Sequence, residues 1–138
     1  MKKILFLCVA NSARSQLAEG LARFHWAGLA QVYSAGSKPT KVNPLAIQAL
    51  KEWDLDISHH SSKAVDDLSH IDFDYVITLC AEEVCPVALN ARQKLHWGFP
   101  DPADPIPTAD TLLKFRKVRE GILEKILEFK ETDLKEKL

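Results

Sequence analysis

The first fifteen residues constrain this chain more than any other stretch. Ile4-Leu5-Phe6-Leu7 is a short apolar run of strand type, and Leu17, Ala18, Leu21, Ala22 and Phe24 follow at helical spacing. Between them lies Cys8-Val9-Ala10-Asn11-Ser12-Ala13-Arg14-Ser15. A strand that runs through a short loop into a helix gathers backbone N–H groups and the positive end of the helix dipole around one point. A tetrahedral oxyanion fits there. Arg14 can hold it with two parallel charge-assisted hydrogen bonds, and the same field favours the thiolate of Cys8, the nucleophilic form. A cysteine closing a buried strand is commonly only a small core residue, and cysteine–arginine spacing alone is weak. The strand before, the helix after and the short loop between give it weight. The segment is a candidate site for covalent attack on phosphate, or on something shaped like it.

The rest of the chain supplies a sheet for this junction. Gln31-Val32-Tyr33-Ser34-Ala35 reads as a second strand, closed by Gly36. Asn43 and Pro44 start a helix, with a capping side chain and a proline at the first helical position; Leu45, Ala49, Leu50 and Trp53 form its apolar stripe. Residues 72–79 read as a third strand, apolar on both faces near its end, as in a parallel sheet. Pro86 starts a short helix, and Leu95-His96-Trp97 reads as a fourth strand. Pro100, Pro102, Pro105 and Pro107 hold an extended loop. The last helix begins near Thr108, with Leu112, Phe115, Val118 or Arg119, Ile122, Ile126 and Phe129 facing the sheet. The charged tail 130–138 is expected to fray. Alternating strands and helices predict an α/β fold: one domain over 1–138, a three-layer sandwich with a four-stranded parallel sheet flanked by helices. Ligands of such sheets bind beyond the carboxyl ends of the strands. Cys8 and Cys80 both fall there.

Composition narrows the function. The net charge is −1, so no basic field argues for nucleic acid or an anionic membrane. No apolar stretch approaches a membrane span. The apolar run at the N-terminus is broken by Asn11, Ser12 and Arg14, too short for a secretory signal, and the fold needs it as a strand. A cytoplasmic protein is expected. Three cysteines make an odd set, unsuited to a secreted disulfide scaffold. Cys80 and Cys85 are close enough for a loop or one helical turn to join them. They read as buried structural thiols, or as partners of Cys8: a second thiol can attack an oxidised adduct on Cys8, and a third can carry the disulfide outward. Zinc would need two further ligands, and His59, His60, His70 and His96 lack ligand spacing to the pair. Asp101-Pro102 reads as a turn or as a general acid for a leaving oxygen, with Asp104 a neighbouring candidate.

Residues 8–20, Cys8 through Gly20, resemble the phosphate loop of the low-molecular-weight tyrosine phosphatase superfamily. The chain is more closely similar to the thioredoxin-coupled arsenate reductases that share that fold. The segments Val32-Tyr33-Ser34-Ala35-Gly36, Val42-Asn43-Pro44, Asp56-Ile57-Ser58, Val76-Ile77-Thr78-Leu79-Cys80 and His96-Trp97-Gly98-Phe99-Pro100-Asp101-Pro102-Ala103 match in order. The resemblance implies that Cys8 attacks arsenate, while Val9, Ala10, Asn11, Ser12, Ala13 and Arg14 hold the oxyanion. Ser15 stabilises the Cys8 thiolate, and Asp101 protonates the departing oxygen. Cys80 then attacks Cys8, arsenite leaves, and Cys85 takes the disulfide from Cys8–Cys80 to Cys80–Cys85. The region from Cys80 to Leu89 must move for this. The short Cys80–Cys85 interval leaves both thioredoxin and glutathione–glutaredoxin open as electron donor. No cofactor is implied, and a monomer is expected. Some relatives hold a potassium ion through positions matching Asn11, Glu19, Ser34 and an aspartate. Lys63 stands at the aspartate position, and its ammonium is predicted to replace the ion, so no metal is expected. A phosphatase acting on phosphotyrosine or a small phosphoester is the alternative, disfavoured by Ala103 where phosphatases usually carry tyrosine. A non-catalytic oxyanion or thiol sensor is a third reading, and it leaves Asp101 without a role.

Overall fold

A computed structural model describes residues 1–80 and 91–134. The apolar run becomes β1 (Lys2–Cys8), the centre of a parallel sheet ordered β2 (Ala30–Gly36), β1, β3 (Phe73–Thr78), β4 (Ala91–His96). Ile4, Leu5, Phe6 and Leu7 are all fully buried, as expected of a strand covered on both faces. Their side chains alternate. Ile4 and Phe6 enter one core cluster; Leu5 and Leu7 enter the other.

The two faces are covered unequally. α1 (Arg14–His25) and α3 (Ala109–Phe129) pack on the Ile4–Phe6 face, with α2 (Pro44–Lys51) against both. Among the described residues, the opposite face is covered by Tyr33, Ile71 and the 3₁₀ turn Val65–Leu68. Asn43 Oδ1 accepts from Leu45 N at 2.9 Å with Pro44 at the first helical position, so α2 starts as its sequence dictates. α3 opens on a capping box between Thr108 and Thr111. No helix among the described residues is long and apolar enough to cross a membrane.

Four details differ from the sequence reading. Phe24 is 62% exposed, and Trp26, just past the end of α1, fills the core between Phe6 and Phe129. The indole is the larger apolar body, and its Nε1–H finds Ile126 O at 3.0 Å, so burying it leaves no polar group unpaired. Truncating such a side chain costs about 3–5 kcal/mol. In α3, Leu112 is half-buried and Thr111 takes the buried position, its hydroxyl held by Asp104. β4 starts earlier and ends at His96, although Trp97 N still donates to Thr78 O at 2.8 Å. The tail does not fray at once: Lys130–Leu134 continue as a π-helical turn, because Leu134 has a buried place to occupy. The helix expected at Pro86, the movement expected from Cys80 to Leu89 and Cys85 itself lie outside the described residues.

The strand order puts β2 and β3 on opposite sides of β1, and the crevice beyond their carboxyl ends is where such sheets bind ligands. Leu7 pairs with Thr78, and Leu79 N donates to Leu7 O at 2.9 Å. Cys8 and Cys80 therefore leave the sheet on neighbouring strands at the same edge.

Candidate active site

The loop after β1 is shaped by where its carbonyls go. Val9 O accepts from Lys38 N (2.9 Å), Ala10 O from Thr40 N (3.1 Å) and Ser62 Oγ (3.0 Å), and Ser12 O from Asn43 N (3.0 Å). Asn11 O accepts from Gln16 Nε2 (3.1 Å) and Ala13 O from Leu17 N (2.9 Å). In a trans peptide the carbonyl of one residue and the N–H of the next point oppositely. No cis peptide is present among the described residues. Each outward-tied carbonyl thus turns the following N–H to the other side, which gathers the donors of residues 10–13. Ala13, at the N-cap of α1, has no side-chain oxygen to occupy the first helical N–H groups. The N-cap side chain makes no hydrogen bond to them, and N–H groups at a helix start suit an anion.

Gly36 makes this packing possible. A Cβ there would lie 2.4 Å from Val9 O and 2.9 Å from Asn11 N, closer than any side chain tolerates. The end of β2 is pressed directly against the loop.

Asn11 is the keystone. Its φ of 48° is left-handed, a conformation that asparagine visits more readily than most residues. Its side chain is fully used. Nδ2 donates to Ser15 Oγ (2.7 Å) and Ser34 Oγ (3.0 Å); Oδ1 accepts from Gln16 Nε2 (3.1 Å) and Lys63 N (2.8 Å). Ser15 Oγ lies 2.9 Å from Cys8 Sγ. Because Ser15 already accepts from Asn11, its one proton is left to point at the sulfur. Ser34 likewise accepts from Asn11 and donates to Glu19 Oε1 at 2.5 Å.

Behind this lies an ionic cluster around the buried Glu19 carboxylate. Glu19 Oε2 accepts from Arg23 Nε at 2.9 Å and faces His60 Nε2 at 3.5 Å; Lys63 Nζ stands 3.7 Å from Glu19 Oε1 and donates to Ser61 O at 2.7 Å. His60 Nδ1 meets Gln16 Oε1 at 3.1 Å. Burial pushes the His60 imidazole below its ordinary pKa; the Glu19 carboxylate pulls the other way but does not win. Asn11 Oδ1 and Ser34 Oγ are taken and the Lys63 ammonium faces Glu19, so these residues do not fit a potassium ion.

Cys8 and Arg14 are buried, and Arg14 Nη1 donates to Phe99 O at 3.0 Å. Cys8 is a free thiol; Cys80 is buried and disulfide-bonded. Asp101 is exposed on the loop before α3, and its Oδ1 accepts from Ala103 N at 3.0 Å, so it makes the turn as well as offering a carboxyl group. Asp104 is committed elsewhere. Hydrogen bonds from Thr111 and Lys114 hold its carboxyl below the usual range, which unsuits it as an acid. The structure thus assembles Cys8 to Ser15 around one point and sets Cys80 at the same edge. Gln16, His60, Ser62 and Phe99 were missed by sequence reasoning. A glutamine on the helix face due to be buried was the available signal for the first; the others are joined only by distant contacts.

The family described as low molecular weight phosphotyrosine protein phosphatase matches residues 3–138. The chain is 45% identical over 130 residues to arsenate reductase 2 of Staphylococcus saprophyticus, covering 93% of this chain and 95% of that protein. It superposes with a TM-score of 0.75 on the structure of an arsenate reductase in the phosphate binding state, at 33% identity over 94% of this chain and 96% of the other. A thioredoxin-dependent arsenate reductase from Corynebacterium glutamicum gives a TM-score of 0.73 at 29% identity, covering 96% of this chain and 61% of that one.

Proposed function

The chain belongs to the low molecular weight phosphotyrosine protein phosphatase family, and within it we propose that this protein is an arsenate reductase working through a three-cysteine relay. The observation that carries the reading is the pairing of two cysteines at one sheet edge. Cys8 ends β1 at the start of the candidate oxyanion loop, and Cys80 follows the adjoining strand at the same edge of the sheet. Phosphoester hydrolysis uses the first and has no need of the second.

The Cys8 thiolate attacks arsenic(V), forming an S–As bond. One arsenate oxygen leaves as water with the proton of Asp101. The N–H groups of residues 10–13 and the Arg14 guanidinium meet the negative charge of the oxygens as it rearranges. Cys80 then attacks the Cys8 sulfur. The S–As bond breaks, its electron pair stays on arsenic, and arsenite leaves as arsenic(III). The resulting Cys8–Cys80 disulfide is attacked by Cys85, which expels the Cys8 thiolate and leaves Cys80–Cys85. A thioredoxin-type dithiol, the donor class named for the Corynebacterium glutamicum relative, reduces it; a glutathione–glutaredoxin system is the other candidate donor. A free Cys8 beside a disulfide-bonded Cys80 fits the state before that last step.

The test is a thiol count on fully reduced protein before and after arsenate, with no external reductant. Loss of two of the three thiols with release of arsenite supports the relay. Retention of all three moves the assignment to a phosphatase that uses Cys8, Arg14 and Asp101 on phosphoesters. A Cys80→Ser variant separates the same readings: arsenate turnover stops, while phosphoester hydrolysis survives.

A further inference from the structure

One residue of the β4–α3 loop is tied to both parts of the site through its backbone. Phe99 O accepts from Arg14 Nη1 at 3.0 Å, and Phe99 N donates to Leu79 O at 3.1 Å, one residue before Cys80. Pro100 and Asp101, which follow it, are exposed and give it no buried anchor. The ring does. It packs against the main core and sits directly on Gly121 of α3, where a Cβ would come within 2.9 Å of Cε1 and 3.6 Å of Cδ1. The absent side chain of α3 is the seat of the ring. On its open side lies a cavity of about 380 Å³, walled by Pro100 and Pro102 and by Lys117 and Val118 of α3.

A guanidinium is a planar fork, so fixing one N–H fixes the plane of the others. A carbonyl that takes one hydrogen of Nη1 therefore sets how the remaining donors meet an oxyanion at the loop. We infer that Phe99 is a positioning residue for Arg14: its ring, seated on Gly121, holds the Phe99 carbonyl where it orients the guanidinium for the bound oxyanion. This rests on the reading of Arg14 as the oxyanion-holding residue, and it stands whether or not the cysteine relay operates.

Gly121→Ala tests it. The added methyl displaces the ring, the cavity gives the ring somewhere to go, and alanine is the better helix former, so the fold is kept. Inorganic phosphate, titrated by calorimetry into fully reduced protein, is the probe. The dissociation constant rises about tenfold in Gly121→Ala, the loss expected for one well-aimed bond to a charged group, while the melting temperature stays level or rises. Phe99→Ala weakens phosphate at least as much, and Phe99→Leu, which keeps an apolar anchor, restores most of the affinity. In an Arg14→Lys background Gly121→Ala has no further effect, because the orientable fork is gone. Unchanged phosphate affinity in folded Gly121→Ala and Phe99→Ala overturns the inference, as does an equal loss in the Arg14→Lys background. If Arg14→Lys alone binds phosphate as well as the parent, the reading of Arg14 fails and the positioning role falls with it.

Discussion

From Val9 to Ala13 every backbone carbonyl has a partner within 3.1 Å, supplied from β2's exit, α1, the start of α2 and the 61–63 segment. Between Pro100 and Pro107, among the described residues, the hydrogen bonds are those of two aspartates: Asp101 with Ala103, and Asp104 with Thr111 and Lys114. The first loop is partly to fully buried and held by bonds. The second is largely exposed, and its stiffness comes from four prolines that fix φ without needing partners. The contrast matches the two chemical tasks proposed for these loops. Charge developing on an oxyanion is stabilised best by dipoles that cannot reorient, which favours a cradle locked from outside. A proton donor must reach the leaving oxygen from the solvent side and be reprotonated between turnovers, which favours a rigid but wet loop.

The difference predicts two distinct kinetic failures. Asp101→Asn removes the proton and nothing from the cradle. Its kcat for arsenate falls by about 10²–10⁴-fold, while phosphate binds as before. Steady-state kinetics beside phosphate calorimetry checks this, and a matching loss of phosphate affinity would show that Asp101 belongs to the cradle. Gly36→Ala does the reverse. Its methyl would stand 2.4 Å from Val9 O, so the loop must shift. A displacement near 1 Å costs about 10²-fold, and it should appear in phosphate affinity and in turnover together.

How far the sequence reaches follows the same division. The cradle was legible because its reacting groups are contiguous: a strand, five loop residues and a helix, with Ser15 seven positions from the cysteine it faces. What locks the cradle was not, because those bonds come from afar. Ser62 reaches Ala10 across 52 positions, and His60 reaches Gln16 across 44. Hydrogen-bonding side chains carry no periodicity that would announce them. Phe24 misled for a related reason: apolar spacing names a helix face but not where the neighbouring elements end. The sheet order was likewise invisible, since any arrangement of four parallel strands meets the same pattern.

Asn11→Ala tests the lock as stability. It forces a left-handed φ on alanine and strips partners from Ser15, Ser34, Gln16 and the Lys63 N–H, so unfolding free energy falls by about 2–4 kcal/mol. Denaturant titration reads it. The equivalent in the second loop, Ala103→Ser, should be near neutral. His60 gives a smaller, pH-dependent effect. Burial lowers its folded pKa below the unfolded 6.5, so the unfolded chain binds the extra proton. The contribution is complete above 6.5 and is lost as the pH falls toward the lowered value. The melting temperature should decline between pH 7 and pH 5, and His60→Gln, which can keep the contact with Gln16, should flatten that decline.

The smallest expected effect is none, and it addresses the ionic cluster that braces the cradle. A potassium ion needs several oxygen lone pairs and little competing positive charge. Here Asn11 Oδ1 already accepts from Gln16 Nε2 and Lys63 N, and Ser34 Oγ sits between Asn11 and Glu19. The Glu19 carboxylate is matched by Arg23 at 2.9 Å and Lys63 at 3.7 Å. An entering cation would face two resident ones across the same carboxylate. Arsenate turnover should therefore be the same in potassium and sodium chloride at fixed ionic strength. Lys63→Asp removes one resident cation and adds a carboxylate at the same place, so that variant should acquire a potassium response. A rise with potassium in the parent protein would mean that the ammonium does not do the ion's work, and that the cradle is braced less completely than its hydrogen bonds indicate.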